Sequence, residues 1–269
     1  MLTLCSGLVA MAPAGGSAGA ASAVALPSSM ASVGDSITRA FDIDPAHFLQ
    51  DSPQYSWSTG TSSSVDSQYD RVLAANPAIK GHVYNDAKSG AQMSALDGQL
   101  KQASGQHVQY ATVLMGANDV CTSSVSTMTP TATFKSEFGK AMADFFAADP
   151  SAHVLVASIP NIYHLWSILH TNSTAQSTWS TLGLCQSMLS SSGTATTRSE
   201  VQKREVADNA ILASVCATYA NCLWDKDTVY NVMFPASYVS TADYFHPDLM
   251  GQKMLAAVSW GVGYWPSTP

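Results

Sequence analysis

Five short apolar runs, at 30–33, 82–85, 110–115, 153–159 and 222–224, constrain this 269-residue chain more than any other feature. They are too short for buried helices and rich in β-branched or aromatic residues, and the first four stop at Gly, Asn or Pro, so each reads as a strand. Runs apolar on both faces suit a parallel sheet covered on both sides, and the helical patterns between them supply the crossovers that parallel neighbours require. The fold class is therefore α/β. One crossover shows Phe134, Phe138, Met142 and Phe145 as a stripe ending at Asp149-Pro150. Another has Thr197 and Glu200 spaced as a capping box, followed by the row Ala207, Ile211, Val215, Tyr219. No internal repeat is visible, and the 46% apolar content is ample for one core, so residues 27–269 are expected to form a single domain.

The net charge of -7, with 12 Lys and Arg that never cluster, excludes the electrostatic footprint of a nucleic-acid binder. Residues 1–26 carry no charge, are apolar early, and reach the small-residue stretch Ala21-Ser22-Ala23. This predicts a secretory signal peptide, cleaved near Ala23 and taking Cys5 with it. Pro13, Gly15 and Gly16 interrupt the run too soon for a membrane span, so no stable membrane insertion is expected. Cys121, Cys185, Cys216 and Cys222 remain, an even number that fits two disulfides in a secreted chain with three possible connectivities. Sequential pairing, Cys121 with Cys185 and Cys216 with Cys222, is the expectation. None of the four forms a C-x-x-C pair, and no H-E-x-x-H occurs, so neither a metal nor another cofactor is called for.

In open parallel sheets ligands bind beyond the carboxyl ends of the strands, which makes the residues after each run the ones to inspect. The first run leads into Gly34-Asp35-Ser36, where Gly34 permits a sharp turn and Ser36 falls at the start of the next helical turn, among free backbone N–H groups. After the second comes Gly90, and after the third Gly116-Ala117-Asn118-Asp119, whose Asn118 amide is a donor that cannot itself take a proton. The fourth ends at Pro160-Asn161, read as a turn. Near the far end stands Asp243-Tyr244-Phe245-His246-Pro247, with Pro247 expected to open a last helix running to about Trp260. Three residues apart, Asp243 can reach one nitrogen of His246 and leave the other for a serine.

With these blocks in view, the chain resembles the GDSL-type esterases and lipases of the SGNH hydrolase superfamily, named for Ser, Gly, Asn and His in four separated blocks. Here they are Gly34-Asp35-Ser36, Gly90, Gly116-Ala117-Asn118-Asp119 and Asp243 with His246, in order and spanning nearly the whole mature chain. The resemblance implies a three-layer α/β/α sandwich with a five-stranded, flavodoxin-like parallel sheet. It implies a secreted serine esterase or lipase without cofactor: Ser36 as nucleophile, His246 as general base, Asp243 as its orienting acid, and Ser36, Gly90 and Asn118 as oxyanion hole. The leucine of the family name is replaced by Ile37 or Thr38, and the segment 161–197 is long. There Ile162, Tyr163, Leu165, Trp166, Ile168, Leu169 and Trp179 are candidates for an acyl pocket, pinned to the Asn118 loop through Cys185.

The expected partner is a small-molecule or lipid ester, and a monomer suffices for it. A carbohydrate acetyl ester is the alternative substrate. Two other classes are a binding module on the same fold, and a glycosidase using paired carboxylates among Asp35, Asp119 and Asp243.

Overall fold

The computed structural model describes residues 24–267. The expected signal peptide, with Cys5 and Ala23, lies almost wholly outside the described residues. Its last three positions do not: Val24 and Leu26 pack on the core, and the Val24 carbonyl accepts the Trp265 indole N–H at 2.7 Å.

Strands β1 (Met30–Gly34), β2 (Val83–Asn85), β3 (Tyr110–Leu114), β4 (His153–Val156) and β5 (Cys222–Trp224) form one parallel sheet in the order β2-β1-β3-β4-β5. The helices are α1 (Gln68–Ala75), α2 (Leu96–Gly105), α3 (Ala117–Val120), α4 (Thr131–Ala148), α5 (Ile162–Leu169), α6 (Ser173–Leu182), α7 (Gln186–Leu189), α8 (Ala195–Cys216) and α9 (Leu249–Gly261). Strand side chains alternate between the two faces. Ala31, Val33, Ala111, Val113, Val154 and Val156 meet α2, α4 and α8, while Met30, Tyr110 and Leu155 meet Tyr69 and Val72 of α1 and Trp260 of α9. On the second face Ser32 and Thr112 are also buried, and each finds a hydroxyl partner, Thr59 at 2.7 Å and Ser58 at 2.6 Å. A hydroxyl in a dry layer costs stability unless paired, and the 58–59 loop exists there as that pair.

Several expected boundaries move. The strand expected over 153–159 ends at Val156, because its continuation bends to bring Ser158 onto Asp225 and Ile159 onto Asn209. Helix α8 begins at Ala195, its cap three residues before the predicted one, because Thr194 and Thr197 cap each other, Thr194 Oγ1 accepting the Thr197 N–H and Thr197 Oγ1 the Thr194 N–H. Pro247 does not open α9. It sits in an antiparallel bridge with Val239, and Asp248 is the cap, accepting the Gly251 N–H at 2.8 Å. The disulfides Cys121–Cys185 and Cys216–Cys222 follow the sequential pairing.

Candidate active site

The loops at the carboxyl ends of β1, β2 and β3 converge with the segment ahead of α9. At the end of β1 the backbone has no room for a side chain: a Cβ on Gly34, at φ +149, would stand 2.2 Å from the Leu114 carbonyl oxygen. The Gln99 amide holds both polar groups of Gly34, accepting its N–H at 2.7 Å and donating to its carbonyl at 2.9 Å. The chain then closes one helical turn, Arg39 N–H to Asp35 O, and leaves helical geometry. Ser36 therefore lies in an isolated turn rather than at the N-terminus of a helix.

Within that turn Asp35 Oδ1 accepts the Ile37 N–H at 3.0 Å, which fixes where the Ser36 side chain points. The partner segment is held just as locally. Asp243 Oδ1 accepts the N–H groups of Phe245 at 2.8 Å and His246 at 3.0 Å, folding the loop back so that Asp243 Oδ2 lies 2.5 Å from His246 Nδ1. His246 Nε2 lies 2.8 Å from Ser36 Oγ, across 210 residues of sequence. Phe41 and Phe245 set their rings against the imidazole, with centroids at 5.2 and 5.0 Å. Tyr244, at φ +58, is held by Trp179, whose indole N–H donates to its carbonyl at 2.9 Å.

Gly90 and Asn118 come to the same rim. Asn118 Nδ2 donates to Ala91 O at 3.0 Å, Gln92 Nε2 to Asn118 O at 3.1 Å, and Met93 N–H to Asp119 Oδ2 at 2.9 Å, so the loops after β2 and β3 are stitched side by side. Gly90 needs to be glycine for its φ of +78, since a Cβ there would meet nothing within 4 Å. Ser89 Oγ donates to Asp51, which also pairs with Arg39 at 2.9 Å, tying this loop to the one after Ser36. Among the described residues neither the Ser36 nor the Gly90 N–H has an acceptor.

Charge is concentrated on one side of this arrangement. Burial pulls the His246 imidazole down, but Asp243 beside it, with Asp42 and Asp35 behind, outweighs burial and leaves it above its ordinary value. Burial pushes Asp243 up, and the imidazole and the two N–H groups bring it below the usual carboxylate range. Asp35, wholly buried and with Oδ2 unpartnered, is pushed up to about 7 by desolvation. Asp119, equally buried, goes to about 6 for the same reason. Both are fully buried and neither lines the apolar cleft.

The segment 161–197 does only part of what was expected. Ile162 and Leu165 line an apolar cleft with Ile37, Phe234, Phe245 and Leu255, of which Ile37 and Phe245 are the chain neighbours of Ser36 and His246. Trp166 instead stacks on His170 and carries the Arg198 guanidinium over its ring at 4.4 Å, and Leu169 and Trp179 are core residues. Cys185 does pin the segment to the Asn118 loop, reinforced by Ser187 Oγ donating to Val120 O at 2.6 Å. Asn161 caps α5 by accepting the His164 N–H. Among the described residues Asp42, Asp243 and His246 are the group with metal-ligand spacing, and Asp243 and Ser36 already engage both nitrogens of that imidazole. Gln99 and Asp42 left no mark in the sequence reading, because a lone amide or acid carries no local pattern.

A serine, an imidazole and a carboxylate in one hydrogen-bonded chain, on the same rim as the Ser36 and Gly90 N–H groups and the Asn118 amide, can activate a hydroxyl and receive an oxyanion. The sequence profile of the GDSL-like lipase/acylhydrolase family matches residues 32–254.

The chain belongs to this family.

As a GDSL hydrolase it acts on carboxylic or acyl esters in general. No individually curated protein sequence matches it. Among solved structures it is similar to phospholipase A1 from Streptomyces albidoflavus, with 14% identity, TM-score 0.54, and 87% of this chain and 99% of that one covered. It is also similar to an α/β hydrolase from the metagenome of Lake Arreo, Spain, with 16% identity, TM-score 0.53, and coverage of 87% and 94%. The third is an acetyl xylan esterase, with 13% identity, TM-score 0.51, and coverage of 86% and 98%. At these identities the likeness concerns the fold.

Proposed function

We propose that this GDSL hydrolase is a secreted serine esterase or lipase that cleaves carboxylic esters through an acyl-enzyme on Ser36. The observation that carries the reading is the unbroken chain from Asp243 through His246 to Ser36, at 2.5 and 2.8 Å. Ser36 Oγ attacks the ester carbonyl as His246 Nε2 takes its proton, and Asp243 holds the imidazole in the tautomer with Nδ1 protonated. The oxyanion is received by the Ser36 and Gly90 N–H groups and the Asn118 amide. His246 then protonates the leaving alkoxide, and water repeats the sequence to release the acid. Two disulfides, which persist in oxidising compartments, and the uncharged leader support secretion.

The apolar cleft beside Ser36 favours esters with an apolar acyl chain over acetylated carbohydrate. A fluorophosphonate probe should label the parent at Ser36 and leave Ser36→Ala unlabelled, with hydrolysis of aryl esters falling by about 10⁴-fold or more. Labelling elsewhere, or parental turnover in the variant, overturns the assignment. With acyl esters of graded length the rate should rise beyond acetyl; a maximum at acetyl turns the substrate to acetylated polysaccharide.

A further inference from the structure

Beyond the three groups of the hydrogen-bonded chain stands a fourth. Asp42 is 1% exposed, and one of its carboxylate oxygens lies with a ligand atom of Asp243 and of His246 in a group spanning no more than 4.8 Å. It arrives there by a loop built for the purpose. Ala40, Asp42 and Leu49 all adopt left-handed backbone, at φ 48, 51 and 56, a conformation that costs a non-glycine residue about 1 kcal/mol or more. Cross-loop bonds hold it: Asp42 N–H to Gln50 O at 3.0 Å, Ser52 N–H to Arg39 O at 3.0 Å, and Leu49 N–H to Asp42 Oδ1. The same loop sets Phe41 against the imidazole. Strain of this kind persists where the surroundings over-determine it, and here it delivers a second carboxyl group to the back of Asp243.

We propose that Asp42 is a positioning residue of the site: it places a second negative charge beside Asp243 and the imidazole. This rests on the reading of Ser36 and His246 given above. When Ser36 gives its proton to Nε2, an imidazolium forms, and two carboxylates stabilise it more than one does. No proton passes to Asp42 in this step; the one that leaves Ser36 stays on His246 until the leaving group takes it. The ionisable groups facing His246 are Asp243 from its own loop, Asp42 from the loop after β1, and Asp35 from the nucleophile turn. Those facing Asp42 are Asp243 and His246. Among the described residues no lysine or arginine pairs with any of these carboxylates. Burial and the Asp243 charge push Asp42 up to about 6, just below the range in which a serine esterase needs its imidazole neutral. Above that pH its charge is in place.

The test is Asp42→Asn, which keeps an oxygen for the Leu49 N–H and removes the charge, read by the pH dependence of kcat/KM and by NMR titration of the His246 ring, with His246→Gln assigning the signal. With one charge gone, the imidazole should protonate at lower pH. Its titration and the acid limb of kcat/KM should both move down by roughly half a unit to one unit, and the plateau should fall several-fold. Asp42→Ala, which also frees Leu49, should show the same downward shift with a larger drop in kcat. If both variants lose activity while the titration and the limb stay where they are, Asp42 is only loop structure and the proposal is wrong. Ser36→Ala is run beside them: if it keeps parental activity, the underlying reading has failed instead, and the His246 titration still reports on Asp42 by itself.

Discussion

The site has two walls of different physical kind. One is assembled from the ends of β1, β2 and β3 and is neutral: Ser36 and Gly90 present backbone N–H groups, Asn118 an amide, and Gln99 clamps the turn through two hydrogen bonds to Gly34. The other is made of the loops around 240–247 and 40–50 and is a cluster of ionisable groups, His246, Asp243 and Asp42, with an atom of each within 4.8 Å of the others. The neutral wall supplies oxyanion donors, backbone N–H groups and an amide, that carry no proton to lose at ordinary pH. The charged wall supplies a base whose readiness depends on protonation. Separating the two lets the oxyanion be met by donors that cannot lose their protons, while the imidazole can be tuned without disturbing them.

Substitutions should therefore separate by their effect on the pH profile. The largest effect is expected from Asp243→Asn, where an amide in place of the carboxylate favours the wrong tautomer of His246. Turnover should drop by about 10⁴-fold, with the acid limb displaced to lower pH because the imidazole has lost its main counter-charge. A mild loss would mean that another group orients the ring. Asn118→Ala comes next: loss of one oxyanion donor should lower kcat by about 10² to 10³-fold with KM little changed and the limb unmoved. A displaced limb in Asn118→Ala would blur the two walls into one.

The smallest effect lies beneath the neutral wall and concerns stability. Asp208 of α8 is fully buried, neither carboxylate oxygen has a partner, and desolvation pushes it up to about 7. In the folded chain it keeps its proton to a higher pH than in the unfolded one. Stability is thus undiminished below the ordinary carboxylate range, about pH 4, and erodes as pH rises toward 7. Asp208→Asn should raise Tm at pH 8 and raise it much less at pH 5. Equal shifts at both pH values would show that Asp208 does not titrate in that window.

Two neighbouring helices show how unevenly the sequence could be read. The buried side of α4, Phe134, Phe138, Ala141, Met142 and Phe145, is the apolar stripe its spacing predicts. Helix α8 packs on α4, yet its buried side holds Arg198, Glu205, Asp208 and Asn209 with Val201 and Leu212, while the row Ala207, Ile211, Val215 is only half-buried. Hydrophobic periodicity finds a face when apolar side chains cover it. It misleads when polar groups are buried to serve other segments, as Glu205 accepts the Ile162 N–H and Asn209 the Ile159 N–H. Trp179 was legible as a large aromatic in the right segment, but whether it would line a cleft or prop Tyr244 depended on a partner 65 residues away.

What the sequence determined by itself was set by short-range physics. Apolar runs of strand length fix a parallel sheet, glycines fix where the chain turns, and the three-residue spacing of Asp243 and His246 lets one carboxylate take two backbone N–H groups and still reach the ring. What only the tertiary structure decided are the meetings between segments: Ser36 with His246, Asn118 with the Gly90 loop, and Asp42 behind Asp243. Those depend on the order in which the crossovers lay the strands side by side and on loops folded through left-handed backbone. No local pattern records either, because the energy that sets them comes from packing across the whole sheet.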